Sequence, residues 1–330
     1  MTLEQHTFET EEPAAGRRFQ QCLLGWYDWH KRDLPWRKDR DPYRVWLSEI
    51  MLQQTRVAAV VDHYQNFLRR FPSIERLAVA RESSVLAAWS GLGYYRRARM
   101  LHAAAKKIVK EYGGKFPVSA NDLRTLPGIG RYTAAAIASI AFDEPVAVVD
   151  GNVERVLQRV RGRILGGEVL WSAAGELLDR HRPGDFNQAL MELGATICLP
   201  RQPQCLLCPV SDLCATRGEL MRPGKGTRQT KREIGYTLAC RDGAIFMVKR
   251  PKTATLMPSM WELPEMADTN GASAISFTLR HAITVIDYVV RVVRSPAPKG
   301  VNGRWVRKDR VTTLPLTGLA RKILRTAKLI

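Results

Sequence analysis

LPGIGRYTAAAIASIAFDEPVAVVDGNV, residues 126–153, is the stretch whose reading decides the fold. It opens on a tight turn, Pro127-Gly128-Ile129-Gly130. Two of these residues lack a Cβ, so the backbone there can come very close to another molecule. A small-residue helix is predicted over 132–141, ending before the turn at 143–145. The amides of Gly128, Gly130 and the helix N-terminus then face outward together, which suits a phosphate. The run of alanines allows close helix packing. A short apolar run, 146–149, delivers Asp150 in the sequence Asp150-Gly151-Asn152.

Upstream the chain reads as a series of helices. Residues 17–30 (RRFQQCLLGWYDWH) carry apolar side chains at helical spacing. Arg32-Asp33-Leu34-Pro35-Trp36-Arg37 follows as a loop of exposed-type aromatic and basic residues. Asp41-Pro42 is a helix start, with Asp as the cap and Pro in the first turn. The helix it starts, 42–54, is apolar nearly all round, and Glu49 and Gln53 share a stripe with Trp46 and Ile50. Desolvation of a carboxylate there raises its pKa. Such a Glu holds a proton near neutral pH and can act as a general acid. Further helices are predicted over 56–71, 73–80, 83–89 and 96–112, the last stopped by Gly113-Gly114. The turn Gly91-Leu92-Gly93-Tyr94-Tyr95 presents aromatics beside Arg96, Arg97 and Arg99. Basic residues beside tyrosines suit DNA backbone contact and insertion into a base stack. After Asp150 come the segment 153–160, a glycine-rich turn at 162–167, and helices over 171–178 and 187–194.

The bulk properties agree with a two-domain globular protein. The chain has 330 residues and 45% hydrophobic residues. No apolar run approaches the ~20 residues that span a bilayer. The first residues, MTLEQHTFETEEPAAG, are acidic and polar, unlike a secretory signal or a transit peptide, so a cytoplasmic location is expected. The net charge of +19 attracts polyanions. With no amphipathic or lipidation signal for a membrane, nucleic acid is the expected partner.

Six cysteines are present, and four of them fall within seventeen residues: Cys198-x6-Cys205-x2-Cys208-x5-Cys214. In a cytosolic chain this clustering points to metal rather than disulfides. Four thiolates suit either tetrahedral zinc or a [4Fe–4S] cluster, and ligand chemistry alone does not separate the two. Cys22 and Cys240 stand apart and are expected as buried small hydrophobes.

Residues 217–232, rich in glycine, proline and charge, read as a linker. Beyond it the period changes. Residues 236–240 and 244–249 read as strands of a hairpin around Arg241-Asp242-Gly243. Strands are also predicted at 276–279 and 285–293, and a closing helix at 317–329, giving an α+β domain.

From residue 17 to 214, the segments LPWR, PYRVWLSEIMLQQTRV, GLGYYRRAR, LPGIGRYTAAAI, DGNVERVL and FNQALMELGA, with the cysteine spacing, resemble the MutY-type adenine DNA glycosylases. These belong to the helix-hairpin-helix superfamily. The resemblance implies a mainly α catalytic region over 1–216. Within it, a six-helix barrel with the hairpin spans 34–145, and 1–33 joins 146–216 in an iron–sulfur domain. The linker 217–232 and a Nudix-like α+β domain over 233–330 complete the chain. It implies a [4Fe–4S] cluster on Cys198, Cys205, Cys208 and Cys214 that orders a DNA-binding loop and takes no part in hydrolysis. It implies a monomer acting on duplex DNA with adenine opposite 8-oxoguanine or guanine, away from any membrane.

The resemblance also carries roles. Glu49 protonates a ring nitrogen of an adenine extruded from the duplex. Asp150 stabilises the oxocarbenium-like sugar, the two-carboxylate logic of glycoside hydrolysis. Asn152 supports the sugar and the carboxylates, and Tyr132 hydrogen-bonds in the site. Arg32, Leu34, Trp36 and Gln188 form the adenine pocket. Gln53, Gln54, Tyr94, Leu126, Gly128, Gly130 and Arg131 meet the DNA. Lyase-competent relatives carry a Lys nucleophile where this chain has Tyr132, so a monofunctional glycosylase is expected. An endonuclease III-like glycosylase/lyase is the alternative enzyme, and a non-catalytic DNA-binding scaffold the alternative outside catalysis. Residues 257–264 (MPSMWELP) resemble a motif of the family's lesion-recognition domain. Its Phe-Ser-His element is matched only by Ile283-Thr284-Val285. Thr284 is then the one hydroxyl left for the lesion, and discrimination of 8-oxoguanine from guanine is expected to be relaxed.

Overall fold

The computed structural model describes residues 12–220, 230–266, 275–283 and 286–330. Eleven helices precede the first strand among these residues: α1 (Glu12–His30), α2 (Pro42–Leu52), α3 (Val57–Arg70), α4 (Ile74–Ala78), α5 (Glu82–Ala88), α6 (Arg96–Tyr112), α7 (Ala120–Leu123), α8 (Arg131–Phe142), α9 (Gly151–Val160), α10 (Gly167–Leu177) and α11 (Pro183–Thr196). Contacts divide the chain into two compact units. The described residues of 1–53 and 107–223 form one, and those of 54–106 and 224–330 the other.

In the first unit, α2 starts where the sequence says it should. The Asp41 side chain accepts from the Arg44 amide, and Pro42 occupies the first turn. Its apolar residues leave no polar face, and eight of its eleven residues are buried. The hairpin before α8 turns through left-handed backbone at Gly128 (φ 75°), closed by the Ile129 amide donating to the Leu126 carbonyl. No side chain caps α8, whose Gly130 cap leaves the first amides open. The small side chains of α8 then do what small side chains permit: Thr133 to Ile140 are all buried, and α8 packs on both α2 and α11.

The second unit joins α3, α4, α5 and the start of α6 to the C-terminal sheets. The strands are β1 (Thr230–Leu238), β2 (Cys240–Arg241), β3 (Ala244–Lys249), β4 (Trp261–Glu262), β5 (Phe277–Ile283), β6 (Ile286–Arg294) and β7 (Gly303–Arg307). Helices α12 (Lys308–Val311) and α13 (Gly318–Thr326) close the chain. One sheet has the order β1-β6-β5, with β1 parallel and β5 antiparallel to β6. In the other, β3 pairs antiparallel with β2, β4 and β7. Asp242 (φ 49°) and Gly243 (φ 71°) form the two-residue turn between β2 and β3, the mirror-image type that suits strand twist. The hydrophobic core of this part gathers Leu238, Ile245, Met247, Val290, Val292 and Ile323. The expected α+β character is therefore present as a mixed-sheet arrangement. Of the linker expected over 217–232, residues 221–229 lie outside the described residues, as do Thr284 and Val285, whereas residues 230–232 begin β1, held by pairing with β6.

Candidate active site

Glu49 sits on the buried stripe of α2, with 7% of its surface exposed. The Tyr132 hydroxyl, in the first turn of α8, donates to Glu49 Oε2 at 2.6 Å and lies 3.2 Å from Met191 Sδ. Burial pushes the Glu49 carboxyl up from 4.5 to about 7, and the neighbouring charge of Asp150 adds to this; the Tyr132 hydrogen bond and Arg37 oppose it. Burial wins because a carboxylate inside a helix bundle loses its water. The Tyr132 hydroxyl is itself driven well above the ordinary range, first by burial and then by the charges of Glu49 and Asp150. It therefore stays neutral and donates. The site thus contains a carboxyl that exchanges a proton near neutral pH.

Asp150 is the N-cap of α9. The helix starts at Gly151, because Asp150 accepts from the Asn152 and Val153 amides through Oδ1 at 2.9 and 2.7 Å. Its Oδ2 accepts from Asn152 Nδ2 at 3.0 Å. The positive end of the α9 dipole lies behind the carboxylate. Asn152 is held in turn by Arg155, whose Nη2 donates to Asn152 Oδ1 at 2.9 Å and whose Nε donates to the Cys198 carbonyl at 2.8 Å. Helix α11 crosses α9 at Gly194, where an added Cβ would stand 2.6 Å from Asn152 Cβ and 3.1 Å from its Cα. Gly194→Ala is expected to displace α9, with a stability loss of about 1–3 kcal/mol and a slower reaction. Thermal unfolding and single-turnover base release measure the two effects, and wild-type values for both would contradict the packing argument.

The third wall is built on Glu192. Its side chain is 1% exposed and takes Arg32 Nε at 2.6 Å, Arg32 Nη2 at 2.8 Å and Arg37 Nη2 at 2.8 Å. Burial alone would push this carboxyl up, but the two guanidiniums overrule it and hold it at about 2. Two buried carboxyls of one unit thus titrate far apart: Glu192 is ionised at neutral pH, while Glu49 is close to half protonated there. Leu34 and Trp36 are both buried. The expectation of an exposed-type Trp36 is not met, since its short 3-10 turn (Pro35–Arg37) tucks the ring in. Gln188 is half-buried, on the same face of α11 as Met191 and Glu192. Sequence reading passed over Arg37, Met191 and Glu192. Glu192 stands four residues after Gln188, one helical turn, and that spacing is the signal that points to it.

Of the residues expected to meet DNA, Gln53 donates through Nε2 to Thr133 Oγ1 at 3.2 Å, tying the end of α2 to α8. Gln54 is exposed with φ 54°. Gly128, Gly130 and Arg131 are exposed, whereas Leu126 is buried and anchors the hairpin from inside. Arg131 lies 3.9 Å from the Trp171 ring and pairs with Glu168 on α10. In the second unit Tyr94 is 50% exposed.

Cys198, Cys205, Cys208 and Cys214 line one cavity together with Arg159. Arg159, buried on α9, donates to Cys198 Sγ at 3.2 Å and to the Leu199 carbonyl at 2.7 Å. Burial pushes the Cys208 thiol up to about 11, and the charges of Cys198, Cys214 and Cys205 add to it. Among the described residues, no three His, Cys, Asp or Glu side chains converge as a site for a single metal ion. Cys22 is half-buried and Cys240 exposed, so neither is the buried hydrophobe expected. Cys240 lies on the two-residue strand β2, too short to bury both faces.

Residues 47–164, which hold Glu49, Tyr132, Asp150 and Asn152, match the HhH-GPD superfamily base excision DNA repair protein family. The adenine DNA glycosylase of Rattus norvegicus is 51% identical over 225 residues, covering 63% of this chain and 43% of that one. That of Arabidopsis thaliana is 39% identical over 320 residues, covering 82% of this chain and 50% of that one. The chain therefore spans half or less of the length of these relatives. A solved thermostable thymine-DNA glycosylase is 32% identical, with a TM-score of 0.59 over 62% of this chain and 97% of its own. With the hairpin and both carboxyl groups inside the matched region, the chain belongs to the HhH-GPD superfamily of base excision DNA repair proteins.

Proposed function

We propose that this chain removes adenine from mispaired duplex DNA by hydrolysing the N-glycosidic bond. The observation that carries the reading is the Glu49 carboxyl, brought to about 7 and gripped by Tyr132 within the field of Asp150. A purine leaves as a good leaving group only once a ring nitrogen is protonated, and Glu49 carries the proton. The departing base leaves positive charge on the sugar. Asp150, fixed by three donors, faces that charge without reorganising. Glu49, now ionised, takes a proton from the attacking water. Tyr132 keeps Glu49 oriented, and Asn152 keeps Asp150 oriented. Arg32, Leu34, Trp36 and Gln188 surround the extruded base. The 51% identity to a relative named adenine DNA glycosylase supports adenine as the base.

The four cysteines fit a [4Fe–4S] cluster. Four cysteines lining one cavity in the spacing Cys198-x6-Cys205-x2-Cys208-x5-Cys214 suit a cluster that takes one thiolate at each iron. The Cys208 thiol, pushed up by burial and by its neighbouring cysteines, needs a metal's positive charge to become a thiolate ligand. When bound, the cluster supplies order to the loop 198–214. The exposed Gly128, Gly130 and Arg131 bind the phosphate backbone, and Gln53, Gln54 and Tyr94 work at the opened stack. The C-terminal part serves as a Nudix-like lesion-recognition domain, with Ile283-Thr284-Val285 in place of Phe-Ser-His.

Duplexes with adenine opposite 8-oxoguanine, guanine or thymine test this reading. Free adenine is expected from the first two at rates within about tenfold of one another, with no covalent adduct on borohydride treatment because Tyr132 offers no amine. A trapped adduct would move the chain to the lyase class. A strong preference for 8-oxoguanine would overturn the account of residues 283–285.

A further inference from the structure

The turn of residues 90–95 belongs to the same compact unit as the C-terminal sheets. It passes through left-handed backbone at Gly91 (φ 110°), Gly93 (φ 71°) and Tyr94 (φ 46°). A tyrosine there persists only where its surroundings over-determine it. On one side of Tyr94, the Arg97 guanidinium lies 5.5 Å from its ring and 5.5 Å from that of Trp89, while donating to the Leu92 and Gly93 carbonyls. The two ends of the turn close on a single acceptor. Tyr95 Oη donates to the Leu316 carbonyl at 2.8 Å, and Ser90 Oγ donates to the same carbonyl at 3.1 Å. Ser90, Tyr95 and Leu316 are all buried. Arg321 Nε donates to Ser90 Oγ at 3.0 Å.

The acceptor is itself fixed. The Trp261 amide donates to the Pro315 carbonyl at 2.8 Å, and the Thr317 amide donates to the Trp261 carbonyl at 2.9 Å. Thr317 then caps α13, its hydroxyl accepting from the Ala320 amide. A second grip comes from Arg99 on α6, whose Nη2 donates to the Pro258 carbonyl at 2.6 Å. Both Pro258 and Trp261 belong to MPSMWELP. That motif therefore has a task apart from any lesion: it holds residues 315–317 and α6 so that the Leu316 carbonyl meets the turn.

We propose that the C-terminal part positions Tyr94 for entry into the base stack, with Ser90 and Tyr95 as positioning residues that act through the Leu316 carbonyl. The inference rests on the reading of Tyr94 as the side chain that fills the opened stack. Holding the turn before DNA arrives removes the ordering cost from the binding step. Discrimination of a mispair from a paired duplex then depends on a contact far along the chain from Tyr94.

The full-length chain tests this, with duplexes carrying adenine opposite guanine or thymine and 2-aminopurine beside the target adenine. The double variant Ser90→Ala/Tyr95→Phe is expected to lose about tenfold in mispair-over-paired affinity, the worth of two neutral hydrogen bonds. The 2-aminopurine fluorescence gain on binding, which reports unstacking rather than bond cleavage, falls with it. Ser90→Thr with Tyr95 intact keeps both hydroxyls and both readouts. If the double variant does not fold, Ser90→Ala alone is expected to lose about threefold. Wild-type discrimination and fluorescence in a folded double variant, or in Ser90→Ala, would overturn the proposal. Tyr94→Ala separates the two levels. If it too leaves both readouts unchanged, the reading of Tyr94 beneath the proposal fails. If it reduces them while the Ser90/Tyr95 variants do not, only the positioning role fails.

Discussion

Glu49→Gln is expected to bind mispaired duplex as tightly as the native chain and to release base about a thousandfold more slowly or not at all. The amide matches the carboxyl in size and still accepts from Tyr132, so the packing of α2 on α8 survives. What disappears is the proton. The same variant has a stability signature that inactivation by misfolding would not give. The folded carboxyl titrates at about 7 against 4.5 in the unfolded chain. Between those values the folded protein holds a proton that the unfolded chain releases, so stability is full below 4.5 and falls as pH rises through 7. The displacement from 4.5 to about 7 is worth roughly 3 kcal/mol. Glu49→Gln escapes that loss, and its melting temperature should exceed that of the native chain at pH 8 and match it near pH 4. Equal melting temperatures at pH 8 would mean that Glu49 is not held protonated by burial.

Asp150→Asn carries the second large effect. Asparagine caps a helix as well as aspartate does, so α9 keeps its start at Gly151. The variant gives up the hydrogen bond from Asn152 Nδ2, about 1 kcal/mol of stability. On the proposed mechanism it also gives up the negative charge that stabilises the sugar. A base-release rate lower by about 10²–10³-fold is expected, with DNA binding retained. Single-turnover rates beside circular-dichroism melts check both parts. A rate within threefold of the native chain would remove Asp150 from the chemistry and leave it as a cap.

Several features of this site could be read from residue order alone, for definite reasons. Asp41-Pro42 gave a helix start with a mechanism, and the structure has the cap it predicts. The stripe Trp46, Glu49, Ile50, Gln53 placed a carboxyl on an apolar face, and burial then raised its pKa. The helix predicted over 96–112 has the observed bounds, because its periodicity is strong and Gly113-Gly114 ends it. Asp-Gly-Asn was a legible cap for α9 that was read instead as the end of an apolar run.

What escaped lies in contacts between distant parts of the chain. Glu192 meets Arg32 and Arg37 across 160 and 155 residues, and no local pattern encodes such a pairing. Trp36 looked like a loop aromatic because its burial comes from the fold around it. Strand β7 reads GRWVR, with arginines where a strand pattern would place apolar residues, and it forms by pairing with β3. The grouping of residues 54–106 with the C-terminal part rests in part on one carbonyl, that of Leu316.

The pH dependence of single-turnover adenine release, taken below saturation from a duplex with adenine opposite guanine, tests the central claim most directly. Under these conditions the profile reports the essential acid of the free protein. With Glu49 as that acid, release falls tenfold per pH unit above about 7. Release that holds level to pH 9, or that rises with pH, would contradict Glu49 as the proton donor.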